Sequence, residues 1–190
     1  MGRCKIFIDT ETTGLRPEYH EIIEIYIIKE DAQGKILGEF HYRIRPEFIE
    51  RASNAALKIN GYTSKKWEKS IHFTVVAEEI KDIVNGCIWI GHNPRFDYDF
   101  LQEALFRAGI PGIRCSLIDT KVLAHEHLID LGSTSFDNIR DYLGWSKKDS
   151  HTAKCDTIQL RRFYYLTLRM CKVLRLYLYT KYKVRKWIKI

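Results

Sequence analysis

The segment FIDTETTGL closes the apolar run Ile6-Phe7-Ile8 with two carboxylates one residue apart, Asp9 and Glu11. On an extended chain side chains alternate, so both acids point to one side with their Cα atoms about 6.5 to 7 Å apart. Such a pair is either the solvated exit of a buried strand or an anionic site whose repulsion a bound cation offsets. A second acidic stretch, GHNPRFDYDFL, leaves another apolar strand at residues 91–101. Asn93 followed by Pro94 has the order of an N-cap and a proline in the first helical turn. On that helix Asp97 and Asp99 lie about 200° apart, so only one can face a cleft. Asp97, nearer the helix start, takes that place, and Asp99 is solvated. The third stretch is HTAKCD, residues 151–156. Within one helix His151 and Asp156 would diverge by about 140°, so they meet only if the histidine sits in the preceding loop. DYLGWSKKDSH supplies that loop, with Gly144 ending one helix and a polar run leading to the next. Taken alone, His151 is a surface histidine.

Taken together, the four carboxylates Asp9, Glu11, Asp97 and Asp156, with one late histidine, suit a pair of hard divalent cations. Mg²⁺ prefers oxygen ligands at about 2.0 to 2.1 Å, and paired ions about 3.5 to 4 Å apart clamp the attacking and leaving oxygens of a phosphate.

The elements that must carry these groups follow from periodicity. EIIEIYIIKED (21–31) and KILGEFHYRIRP (35–46) are β-rich runs flanking the turn-prone 32–34, which with the first strand predicts an antiparallel meander of three strands. Residues 48–70 read as short helices around Asn60-Gly61. The rhythm then changes: a helix over 74–84, a short buried strand in CIWIGH (87–92), a helix over 94–108, and a strand in CSLIDT (115–120) ending at Asp119, an N-cap. Alternating strands and helices imply a parallel portion of sheet. In the last long element Leu160, Phe163, Tyr164, Met170, Cys171, Leu174 and Leu178 fall on one arc, with Arg161, Arg162, Arg169, Lys172 and Arg175 opposite. Past Thr180, KYKVRKWIKI alternates basic with apolar residues and reads as an extended arm. The expected division is residues 1–178 as one unit and 179–190 as a basic aromatic arm.

At 190 residues with 45% hydrophobic content, the chain has the material for one sizeable core. Its five cysteines are scattered and never spaced C-x-x-C, which argues against a disulfide framework or a thiolate zinc site and for a reduced, cytoplasmic setting. The N-terminal apolar run is too short for a signal peptide, and MGRCKI lacks the hydroxyl residue of a myristoylation signal. With no stretch of about 18 uncharged apolar residues, no membrane insertion is expected. Ten basic residues and no acidic ones lie beyond Asp156, so the net charge of +7 leaves residues 1–156 at −3. A polyanionic partner for the tail is the natural expectation.

The order FIDTETTGL, GHNPRFDYDFL, HTAKCD resembles the three motifs of the DnaQ-like (DEDDh) 3′→5′ exonucleases, the family of the proofreading subunit of bacterial DNA polymerase III and of ribonuclease T. The resemblance runs from about residue 4 to 170. IIEI, RIRP and the Asn60-Gly61 region also sit where that family's intervening segments would. It implies a ribonuclease H-like α/β fold, with a mixed five-stranded sheet, three strands antiparallel and then parallel ones, flanked by helices. It implies two divalent metal ions, Mg²⁺ or Mn²⁺, held by Asp9, Glu11, Asp97 and Asp156. It also makes His151 the general base that takes a proton from the attacking water. The activity implied is hydrolysis at the 3′ end of single-stranded nucleic acid, DNA before RNA, with release of nucleoside 5′-monophosphates. By the same resemblance Thr12, Thr13 and Gly14 would approach the terminal nucleotide, Leu15 would wedge against its base, and Asn93 and Phe96 would touch the strand beyond. Each has a structural counterpart, Thr13-Gly14 as a turn and Phe96 as core.

Tyr26 departs from the small residue that many members carry after IIEI, so the second strand must take in a large ring. The basic tail is no family constant: it could hold nucleic acid, dock on a DNA polymerase or other protein, or lie on an anionic membrane surface. Two rivals share the motifs, an RNA-trimming exoribonuclease and a non-catalytic nucleic-acid-binding or polymerase-docking subunit. If His151 is the base, cleavage rises with pH as the imidazole loses its proton, and a His151→Ala chain that cuts at the parent's rate would contradict the assignment.

Overall fold

The computed structural model describes residues 2–148, 150–170 and 172–188, with the backbone alone at 187 and 188. Strands β1 (Lys5–Thr12), β2 (Ile22–Glu30) and β3 (Ile36–Arg43) form the expected meander, and β4 (Ile88–Gly91) and β5 (Ser116–Asp119) add to its other edge. The order is β3-β2-β1-β4-β5. β1 is antiparallel to β2 and parallel to β4, and β4 is parallel to β5. Helices α1 (Asn54–Asn60), α2 (Phe73–Val84), α3 (Pro94–Arg107), α4 (Thr120–His127), α5 (Phe136–Leu143), α6 (Ala153–Leu168) and α7 (Lys172–Ile188) complete the described chain.

The period of two along β1 and β2 sorts the sheet into two faces. Ile6, Ile8, Ile25 and Ile27 enter one core with Val76 and Ile80 of α2 and Phe100 and Leu101 of α3. Phe7, Tyr26, Ile28 and Ile90 form the other with Ala153 and Leu160 of α6. Asp9 continues the Phe7 face, and Tyr26 is its partner across the strands. The Tyr26 ring is buried beneath α6, with its hydroxyl donating to Glu39 at 2.5 Å. Strand β2 thus accepts the large ring by giving its polar end a partner on β3.

Three expectations need correction. Cys4 and Cys87 form a disulfide, with Cα atoms 4.9 Å apart. The parallel pairing of β1 with β4 sets these cysteines side by side at the strand starts, where Ile88 donates to the Cys4 carbonyl, so the interior is not fully reduced. The single long C-terminal element is two helices, for α6 ends at Leu168 with Arg169 as its C-cap. The arm is not extended either, since α7 runs as helix through Ile188. Cys171, Lys189 and Ile190 lie outside the described residues.

The reason for the helical arm is visible in its contacts. Tyr182 is 7% exposed and stacks on Tyr142 of α5 at 4.7 Å. Arg175 donates to the carbonyls of Glu126 and His127, at the end of α4, and Arg185 to those of Asp141 and Tyr142, near the end of α5. The last carbonyls of a helix lack intrahelical donors and carry the negative pole of its dipole, so cations from α7 serve them. Arg161 likewise leaves the solvated face expected for it and pairs with the buried Glu30. Among the described residues no helix is long and apolar enough to cross a membrane.

Tyr182→Ala should cost roughly 1.5–3 kcal/mol through lost apolar burial. Limited trypsin digestion, followed by mass spectrometry, should then cut within 172–188 first while residues 5–168 persist.

Candidate active site

β4 ends at Gly91, and its ladder with β1 reaches only Phe7 paired with Ile90. Beyond that point the edge of β1 is open, and the start of α3 fills the gap. Asp97, in the first turn of α3, accepts from the Thr10 backbone N–H at 2.9 Å and from the Thr10 hydroxyl at 2.7 Å, both at Oδ1. One carboxylate oxygen thus satisfies the orphaned strand edge. Asp99 pairs with Arg95 on the outer side of the helix, as its spacing requires.

Asp156 enters from the opposite direction, in the first turn of α6. Thr152 caps that helix by accepting from the Cys155 N–H. The buried Thr157 hydroxyl donates to the Tyr26 carbonyl at 3.3 Å. Because Tyr26 is the cross-strand partner of Asp9, this bond sets Asp156 alongside Asp9. Asp9, Glu11 and Asp156 can each place one ligand oxygen so that all lie within 4.8 Å of one another. Asp97 is outside that triad, although its charge acts on both Asp9 and Glu11.

His151 lies in the loop before α6, the position that allows it to meet Asp156. Its φ of 62° is left-handed, a conformation uncommon for residues with a β-carbon but one in which histidine is enriched. It lines one cavity of about 280 Å³ together with Asp9, Asp156, His92, Phe136, Asp137 and Arg140. Its Nε2 is 3.8 Å from Asp137.

The electrostatics show the strain of the arrangement. Burial, then the charges of Asp97, Asp156 and Glu11, hold the Asp9 carboxyl well above the ordinary range. Burial, with Asp156, Glu24 and Asp97, pushes Glu11 up to about 8. Asp97 rises to about 7 through burial, with the two Thr10 hydrogen bonds opposing. Asp156 is raised by burial and pulled back chiefly by Arg140 and then His151. Acids disfavoured as anions by desolvation and by one another fit a site built for positive ions.

Two groups in the pocket escaped the sequence patterns. Arg140 is 1% exposed and donates to Asp156 at 2.5 Å, Asp137 at 2.7 Å and Gln159 at 2.6 Å. The signal was there, since Phe136, Ile139, Arg140 and Leu143 make one helical stripe and a cation in an apolar stripe needs a buried partner. His92 packs against Phe136, and burial lowers its ring to about 4, keeping it neutral.

The remaining predicted contacts are mixed. Thr12, Thr13 and Gly14 are buried, while Leu15 beside them is 80% exposed. The Thr12 hydroxyl donates to the Gly14 carbonyl, and the Gly14 Cα lies against the His20 ring, where a β-carbon would clash. Asn93 is the left-handed N-cap residue of α3. Phe96 packs on Phe100 at 4.8 Å and serves the core.

The family model described as Exonuclease (RNase_T) matches residues 6–162. The chain belongs to this exonuclease family, of the DnaQ-like 3′→5′ type. The exonuclease domain is 33% identical over 153 residues to the PolC-type DNA polymerase III of Thermotoga maritima, covering 80% of this chain and 11% of that protein. It is 31% identical over 108 residues to the 3′-5′ exonuclease DinG of Staphylococcus saprophyticus, covering 53% of this chain and 11% of that one. Among solved structures, E. coli exonuclease I in complex with a dT13 oligonucleotide superposes with a TM-score of 0.75 at 18% identity, over 93% of this chain and 43% of that one. The likeness establishes the ribonuclease H-like fold. The exonuclease domain spans about a tenth of the length of the curated relatives named here.

A testable consequence follows from the raised acids. An acid whose pKa is higher folded than unfolded makes the native state hold the extra protons, so stability falls as pH rises from the unfolded to the folded value. For Glu11 that window runs from 4.5 to about 8. In EDTA, Tm should fall between about pH 5 and about pH 8. Added Mn²⁺ should raise Tm more at the upper end, where protons no longer compete; calorimetry at both values checks the sign.

Proposed function

We propose that this domain is a divalent-cation-dependent 3′→5′ exonuclease that hydrolyses terminal phosphodiester bonds of single-stranded DNA and releases nucleoside 5′-monophosphates. The observation that carries it is the convergence of Asp9, Glu11 and Asp156 within 4.8 Å, in a pocket that His151 also lines. Family membership and the likeness to exonuclease I, whose structure holds an oligonucleotide, support the direction and the substrate. The PolC-type relatives are DNA polymerases, which makes a DNA polymerase the partner in keeping with this reading.

In the mechanism, Asp9, Glu11, Asp156 and Asp97 would hold two divalent cations, Mg²⁺ or Mn²⁺. Those ions, when bound, neutralise the acids and polarise the phosphate and the attacking water. His151 receives the proton of that water, and its half-exposed loop position lets the proton pass on to solvent. Asp137 lies 3.8 Å from the imidazole Nε2 and borders it on the pocket side. Leu15, the most exposed apolar residue of its turn, would rest against the terminal base, with Thr12, Thr13 and Gly14 as the rigid wall behind it. Asn93 and Phe96 would border the strand next to the terminal nucleotide.

End-labelled single strands of DNA and RNA, incubated with Mg²⁺, Mn²⁺ or EDTA, test this directly. The expected result is metal-dependent release of mononucleotides from DNA, faster than from RNA. Asp9→Asn and His151→Ala should each lower kcat by about 10²–10⁴-fold. Faster release from RNA would assign the domain to RNA trimming. Strand binding without release would make it a docking module.

A further inference from the structure

Arg140 shares the pocket but has no part in the hydrolysis described above. A guanidinium taken out of water is costly unless its donors are met, and here the contacts are extensive. Nη2 reaches Asp156, Nη1 reaches Asp137, and Nε reaches the Gln159 side chain. The plane packs 4.6 Å from the centre of the Phe136 ring. Gln159 in turn donates to the Ser146 carbonyl at 3.1 Å, at the start of the loop that carries His151.

We propose that Arg140 is a positioning residue, a resident cation that holds Asp156 in the pocket and competes with divalent ions for it. The inference rests on the reading of the pocket as a divalent-cation site. The guanidinium is fixed by α5 and cannot retreat to solvent, so an ion that draws on Asp156 must share the carboxylate with Arg140. An ion held mainly by Asp9 and Glu11 meets no such rival. Two consequences follow. The pocket keeps Asp156 in place before any ion arrives, and ions bind in two classes of unequal strength, the weaker one set by Arg140.

The experiment is Mn²⁺ binding to the full EDTA-treated chain, read as free Mn²⁺ by electron paramagnetic resonance, with near-ultraviolet circular dichroism to confirm folding. Arg140→Met and Arg140→Gln remove the charge and Arg140→Lys keeps it. In the two neutral variants the weaker class should tighten by about tenfold or more, the scale of one unit charge acting at several ångströms in a partly buried site. The lysine variant should stay near the parent. Folded neutral variants with the parent's isotherm would overturn the assignment, as would a lysine variant that shifts as far as they do. A parent chain that takes up no Mn²⁺ would overturn the cation-site reading itself, which separates the two failures.

Discussion

Mutual repulsion among buried and half-buried carboxylates is the constraint around which the exonuclease domain is organised. Asp9, Glu11, Asp97 and Asp156 come from three segments of the sequence, and burial disfavours the ionised form of each. Nothing about the four acids themselves would draw them together. They are held there by a strand ladder, two helix starts, a pair of threonines and, at Asp156, the Arg140 guanidinium.

The threonines show how this is done. Thr10 pins Asp97 at the open edge of β1, and Thr157 pins α6 to the Tyr26 carbonyl across β2. Asp97, and the helix that carries Asp156, therefore owe part of their placement to backbone groups of the sheet. The same logic recurs in α7, where arginines serve the carbonyl ends of α4 and α5. Polar satisfaction, more than direct attraction between the functional groups, fixes the architecture.

Much of this was readable from residue types and spacing. Alternation on β1 placed Asp9 and Glu11 on one face, Asn93-Pro94 opened α3 with Asp97 in its first turn, and Gly144 ended α5 at a left-handed cap. The condition that His151 precede α6 was also met. What stayed hidden depended on long-range pairing. Cys4 and Cys87 are 83 residues apart, and only the parallel ladder makes them neighbours. The role of Arg140 depends likewise on Asp156 and Gln159, which lie on another helix. The alternating pattern of 181–190 resembled an extended arm, since the aromatic contact that rewards helix, Tyr182 on Tyr142, is invisible along the chain. The break after Leu168 likewise falls where the apolar arc continues without interruption.

The covalent tie between Cys4 and Cys87 gives the sheet a direction. It clasps β1 and β4 at the end far from the acids, while at the other end the strands have already parted company after Phe7 and Ile90. The seam is thus covalent at one end and rests at the other on the Thr10–Asp97 hydrogen bonds, so the spacing of the acids is set by its non-covalent end.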